Sequence, residues 1–93
     1  MIKKIEITLP PGLLAYEPGY TGAFTRAHAK DAWPNGTRVQ KIRIEPGDHH
    51  PIGEQATILG SLKHEGQTMY FVEWDALPQS AVACIGWKLK PLP

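Results

Sequence analysis

The sequence predicts a mainly β fold: a small, strongly bent barrel preceded by an N-terminal strand and an apolar arm. Three features carry that expectation. Gln55–Leu62 and Thr68–Asp75 are strand-like runs separated by the polar turn Lys63-His64-Glu65-Gly66-Gln67, the pattern of a hairpin. Gly60 falls inside the first run, where a barrel strand kinks. Prolines and glycines punctuate the rest of the chain too often for long helices.

Taken in order, Ile5, Ile7 and Leu9 alternate with Lys4, Glu6 and Thr8, the period of a half-buried strand. Pro10-Pro11-Gly12 stops it. Residues 10–23 mix prolines and glycines with Leu13, Leu14, Tyr16 and Tyr20. The stretch is too irregular for a regular element and too apolar for a solvated linker, so it reads as an arm that packs onto its own barrel or a neighbour's. Thr25–Trp33 is alanine-rich and reads as a short helix, with Thr25 as N-cap. Pro34 ends it, because the residue before a proline avoids the helical region.

Asn35-Gly36 turns the chain into a first barrel strand, Thr37 to Ile44. There Val39 falls on the opposite parity from Ile42 and Ile44, which calls for a bulge near Gln40. Glu45 to Glu54 is a loop. In the second strand Ala56, Ile58, Gly60 and Leu62 share a face. In the third, Tyr70, Val72 and Trp74 share one face and Met69, Phe71 and Glu73 the other. A turn around Pro78 leads to Val82–Ile85, and after a bend at Gly86 a last strand carries Trp87 and Leu89.

Ninety-three residues make one domain, divided here into a strand and arm (1–34) and a barrel (35–93). A chain of this size buries only roughly 60–65% of its unfolded surface, so self-association would help it. A homo-oligomer is expected, a dimer foremost, with Ile5, Ile7, Leu9, Leu13, Leu14, Tyr16 and Tyr20 as contacts. No apolar run approaches a membrane span. No signal-peptide core follows Met1-Ile2-Lys3-Lys4, and the single Cys84 allows no internal disulfide, which together predict a cytoplasmic protein.

Charge disfavours a dedicated nucleic-acid binder. The chain has 10 Lys and Arg against 9 Asp and Glu, whereas phosphate-tracking domains carry a clear basic excess on one face. Arg38, Lys41 and Arg43 form one basic cluster on a strand, and acidic residues follow directly.

The order Gly36-x-Arg38-Val39, the Pro/Gly loop, Gly53-x-x-Ala56-Thr57-Ile58-Leu59-Gly60, Tyr70-Phe71-Val72-Glu73-Trp74 and Trp87-Lys88-Leu89 resembles an SH3-like barrel over about residues 36–92. More narrowly, the Pro-Gly-Asp-x-His-Pro loop and the Tyr-Phe-Val-Glu-Trp-Asp strand resemble small bacterial proteins of the kind carried on mobile gene cassettes. That resemblance implies a fold and no established activity. In outline the chain is also similar to the plasmid-borne type II dihydrofolate reductases, tetramers with a shared active-site pore. The segment matching their Val-Gln-Ile-Tyr pore strand is Val82-Ala83-Cys84-Ile85, which lacks the glutamine and tyrosine. Met69–Trp74 resembles the Tyr-Leu-Val-Lys-Trp strand of chromo-like domains, which bind methylated lysine in an aromatic cage. Here the periodicity of Tyr70, Val72 and Trp74 points to core.

No chemical motif stands out. His49, His50, His64 and Cys84 lack the paired spacing of zinc ligands, so neither metal nor cofactor is expected. Cys84, between Ala83 and Ile85, reads as a small core residue. Glu73 and Asp75 read as exposed carboxylates at a strand end, with acid–base chemistry as the rarer alternative. The 3 tryptophans are the better clue. A small barrel has room for about one indole inside, so others should lie at an interface or groove, where tryptophan is enriched. Trp33, Tyr70, Trp74, Asp75 and Trp87 are therefore the candidate ligand residues. A non-catalytic binding module is the expected function. The alternatives are a small enzyme with an interfacial site and a weak nucleic-acid accessory.

Overall fold

The computed structural model describes residues 14–93. The expected strand over Ile5, Ile7 and Leu9, and the contact residue Leu13, lie outside the described residues. Five strands follow: β1 Arg38–Lys41, β2 Gln55–His64, β3 Gln67–Trp74, β4 Val82–Ile85 and β5 Leu89–Pro91. All pairs are antiparallel, in the order β4-β3-β2-β1-β5.

That order corrects the barrel expectation. The sheet is open, with β4 at one edge and β5 at the other. Closure needs the two edge strands to hydrogen-bond with a fixed stagger. Here a single turn of 3-10 helix, Gly86–Lys88, carries the chain from β4 to β5, and among the described residues β5 pairs with β1 alone. The SH3-like barrel and the narrower resemblance built on it are set aside.

The hairpin is where the sequence placed it, from Ala56 opposite Trp74 to His64 opposite Gln67. Its register shifts between Ile58 and Gly60. Inserting one residue switches every later side chain to the other face. Ile58 therefore joins Val39, Tyr70, Val72 and Trp74 in one core cluster, while Leu62 packs with Leu59 against the other. Sequence parity had put Ile58 and Leu62 together. No bulge is needed near Gln40, because β1 ends at Lys41 and leaves Ile42 and Ile44 exposed.

The second cluster, Phe24, Leu59 and Phe71, is covered by the arm. Ala15 and Phe24 exchange backbone hydrogen bonds, and Thr21 is bonded to Gln79 and Ala81. The arm thus packs on its own sheet from Tyr20 onward. Its alanine-rich part is not helical. Thr25 Oγ1 accepts from Ala27 N, a local turn in place of an N-cap. The Ala27 carbonyl accepts from Ser61 N, and Ala29 N donates to Ser61 Oγ. Tertiary hydrogen bonds to β2 here override a weak helix propensity. The alanines are small because the backbone lies close against the sheet.

Candidate ligand-binding site

An open groove of about 1210 Å³ lies among the described residues between β4 and the loop from Gly47 to Glu54. Its apolar wall comes from Met69, Trp74, Leu77, Val82 and Ile85. Among the described residues β4 pairs with β3 only, so one backbone edge of Val82–Ile85 faces away from the described sheet. The loop is pinned by Lys41, which is 4% exposed. Its Nζ donates to the His50 carbonyl at 3.1 Å and lies 3.2 Å from Asp48 Oδ2. Lys88 Nζ donates to both Asp48 oxygens at 3.0 Å and pairs with Glu45 at 2.9 Å. The Glu45 backbone N–H, then Lys88 and Lys41, hold the Asp48 carboxyl well below its ordinary range. Hydrogen bonds to Glu45 and Asp48 push Lys88 upward.

This charge network orients His50. Its ring stacks on Trp74 with centroids 4.5 Å apart and planes 13° from parallel. Nδ1–H donates to Glu54 Oε2 at 3.0 Å, since the carboxylate can only accept. Trp74 itself is 1% exposed, and its indole N–H has no partner among the described residues. It is the core indole that supports the groove, not an exposed contact. Cys84 is buried beside it in the core cluster. Burial pushes its thiol upward, partly offset by Lys41 and Lys88.

A second, smaller pocket of about 450 Å³ gathers Asp31, Trp33, Tyr70, Ile85 and Trp87. Trp33 stacks on Tyr70 at 5.0 Å and 13°, and its backbone N–H donates to Tyr70 OH at 3.0 Å. Burial raises the Tyr70 hydroxyl, against the opposing effect of that bond. Trp87 was expected on a strand pointing with Leu89. It lies instead on the 3-10 turn and is 45% exposed, whereas Leu89 is buried. Gly86 lies close beneath the pocket, where a Cβ would stand 3.0 Å from Tyr70 Cε2 and press on that ring. Ile85 lines both this pocket and the groove.

Of the five candidate ligand residues, three therefore meet in one pocket, Trp74 is core, and Asp75 is bound elsewhere. Arg38 donates to Asp75 at 2.7 Å and lowers its carboxyl. Glu73 accepts from Tyr20 OH at 3.0 Å and from Gln79 N at 2.9 Å. Both carboxylates thus have fixed partners. Tyr20 packs on Phe24 at 5.2 Å within its own chain. Leu14 is exposed and Tyr16 is 79% exposed. The basic cluster is dispersed: Arg38 pairs with Asp75, and Lys41 is buried on Asp48. Among the described residues no three His, Cys, Asp or Glu side chains group as metal ligands, and no helix is long and apolar enough to cross a membrane.

Sequence reasoning missed the placement of His50 against Trp74 and of Asp31 beside Trp33. Only the proximity of Asp31 to Trp33 in the chain was available as a signal. The fold and site define a small mainly β protein with an open antiparallel sheet and two adjoining concavities. Comparison with protein-family models, with curated proteins and with solved structures finds no match.

Proposed function

We propose that this chain is a binding module that takes an extended polypeptide segment along β4. The observation that carries the proposal is an edge strand lying beside a mostly apolar groove. An open edge offers main-chain hydrogen bonds, and an adjoining groove takes alternate side chains of an added strand. Large apolar concavities with a few placed polar groups are the usual ligand sites; here the polar groups include His50, Glu54, Asp48, Lys41 and Lys88. The engagement of Glu73 and Asp75 by Tyr20, Gln79 and Arg38 favours binding over catalysis.

The test is selection of random heptapeptides on the immobilised full chain, with Ala83→Glu as control. Ala83 is exposed on β4 and lines the groove, so the variant places a charge there without touching the core. Peptides with alternating apolar residues should be enriched on the parent. They should shift the amide signals of Val82–Ile85 and bind the variant at least about tenfold more weakly. Equal enrichment on both proteins would rule the β4 groove out.

Self-association through the N-terminal segment is a second reading. It is favoured by the apolar alternation of Ile5, Ile7 and Leu9 and by an open edge that a strand from another copy could extend. Light scattering on the full chain should show a dimer that deletion of residues 1–13 abolishes. A monomer at all concentrations would end it. Deleting further would strip Phe24 from the core and confuse unfolding with dissociation.

A further inference from the structure

We propose that the pocket formed by Asp31, Trp33, Tyr70 and Trp87 is a site for an organic cation, an ammonium or guanidinium group. The proposal stands apart from the β4 reading, since a free organic cation can enter this pocket without a polypeptide on β4.

Three indole or phenol rings line one cavity of about 450 Å³. Aromatic faces carry negative electrostatic potential and attract cations within about 6 Å. Trp87 already does so inside the molecule, with Lys88 Nζ 5.5 Å from its ring centroid. Among the described residues that line the pocket, Asp31 alone is charged, so the formal charge of this lining is negative. Among the described residues, no ion pair engages that carboxylate. It differs in this from Asp48 and Asp75, which are both held by basic side chains. A carboxylate beside stacked aromatic faces complements a positive charge carried on an apolar body.

Asp31 is also held by the backbone. Its φ is +62°, a left-handed conformation in which Asp and Asn are several-fold enriched over other side chains. The turn sets the carboxylate two residues before Trp33, whose ring is locked by Tyr70. The site is therefore built from a rigid aromatic floor, one exposed indole and one acid.

The test titrates the full chain with choline, with N-acetyl-arginine amide and with the neutral tert-butyl isostere of choline. Trp33 and Trp87 indole signals are followed by NMR. Because asparagine tolerates the same backbone conformation, Asp31→Asn removes the charge and keeps the turn. At least one cation should shift both indoles and bind about three- to tenfold more tightly than the neutral isostere. Asp31→Asn should erase most of that difference while leaving isostere binding unchanged. Choline alone or the arginine derivative alone would identify which cation the pocket takes. Equal binding of isostere and cations would overturn the charge preference and leave an apolar pocket. No indole shift with any probe would overturn the site, and neither result bears on peptide capture at β4.

Discussion

The carbonyl oxygen of Thr25 lies 1.8 Å from the point where a Cβ on Gly60 would stand. The arm and β2 touch through backbone at this position, and only glycine permits it. Gly60→Ala should force the arm off the sheet and uncover Phe24, Leu59 and Phe71. Overpacking against backbone belongs at the upper end of its range, about 3 kcal/mol. The melting temperature should fall by more than about 10 °C. A melt within a degree or so of the parent would mean that the arm shifts without loss.

Tyr20 ties the arm down from the other end. Its hydroxyl donates to Glu73 Oε1 at 3.0 Å. Tyr20→Phe keeps the ring packed on Phe24 and removes that bond, at a cost of about 1–2 kcal/mol. In a double-mutant cycle with Glu73→Gln, the losses should be less than additive. Strict additivity of the two melts would show that the pair is not coupled.

Asp48 gives the fold an acid limb. Its carboxyl is depressed in the folded chain from an ordinary value of 3.8. A depressed carboxylate stabilises fully above its unfolded value and loses that contribution as pH falls through the folded one. Denaturant melts should therefore show stability declining below about pH 4. Asp48→Asn should lower stability at neutral pH and flatten that decline. An unchanged acid limb in the variant would place its origin in other carboxylates.

Cys84 is buried in the core cluster, and burial raises its thiol. The thiolate is the reactive form, so a disulfide reagent at neutral pH should label the native chain slowly and the unfolded chain at once. The native labelling rate should rise with denaturant as the core opens. Prompt labelling of the folded protein would show the thiol open to solvent through the β4 groove.

Much of the architecture was legible because strands announce themselves with period two. The β2–β3 hairpin, the buried face of Tyr70, Val72 and Trp74, and the kink at Gly60 all follow from alternation and one glycine. The site was legible only in part. Trp33 and Trp87 were picked as indoles in excess of the core's room, and they do share a pocket, with Tyr70, whose periodicity pointed to core, beneath them. Trp74 was picked on the same grounds but is occupied by the core, and Asp75, a strand-end carboxylate, is held by Arg38. The alanine run misled because alanine favours a helix locally yet also permits close backbone approach, and the sheet took the second use.

By itself, the sequence determined the two long strands, the turn between them around Gly66, and the shared buried face of Tyr70, Val72 and Trp74. These depend on neighbours along the chain. Tertiary structure alone decided that the sheet stays open, that Leu62 changes faces, and that Asp31 and His50 stand beside aromatic rings. Most of these depend on contacts between residues far apart in sequence, as when Asp31 shares a pocket with Tyr70 and Trp87. The bulge resets parity, the Gly86–Lys88 turn sends β5 to the opposite edge, and the loop is held by Lys41 and Lys88. No local periodicity encodes such choices, because their free energy arises only once the distant partners have met.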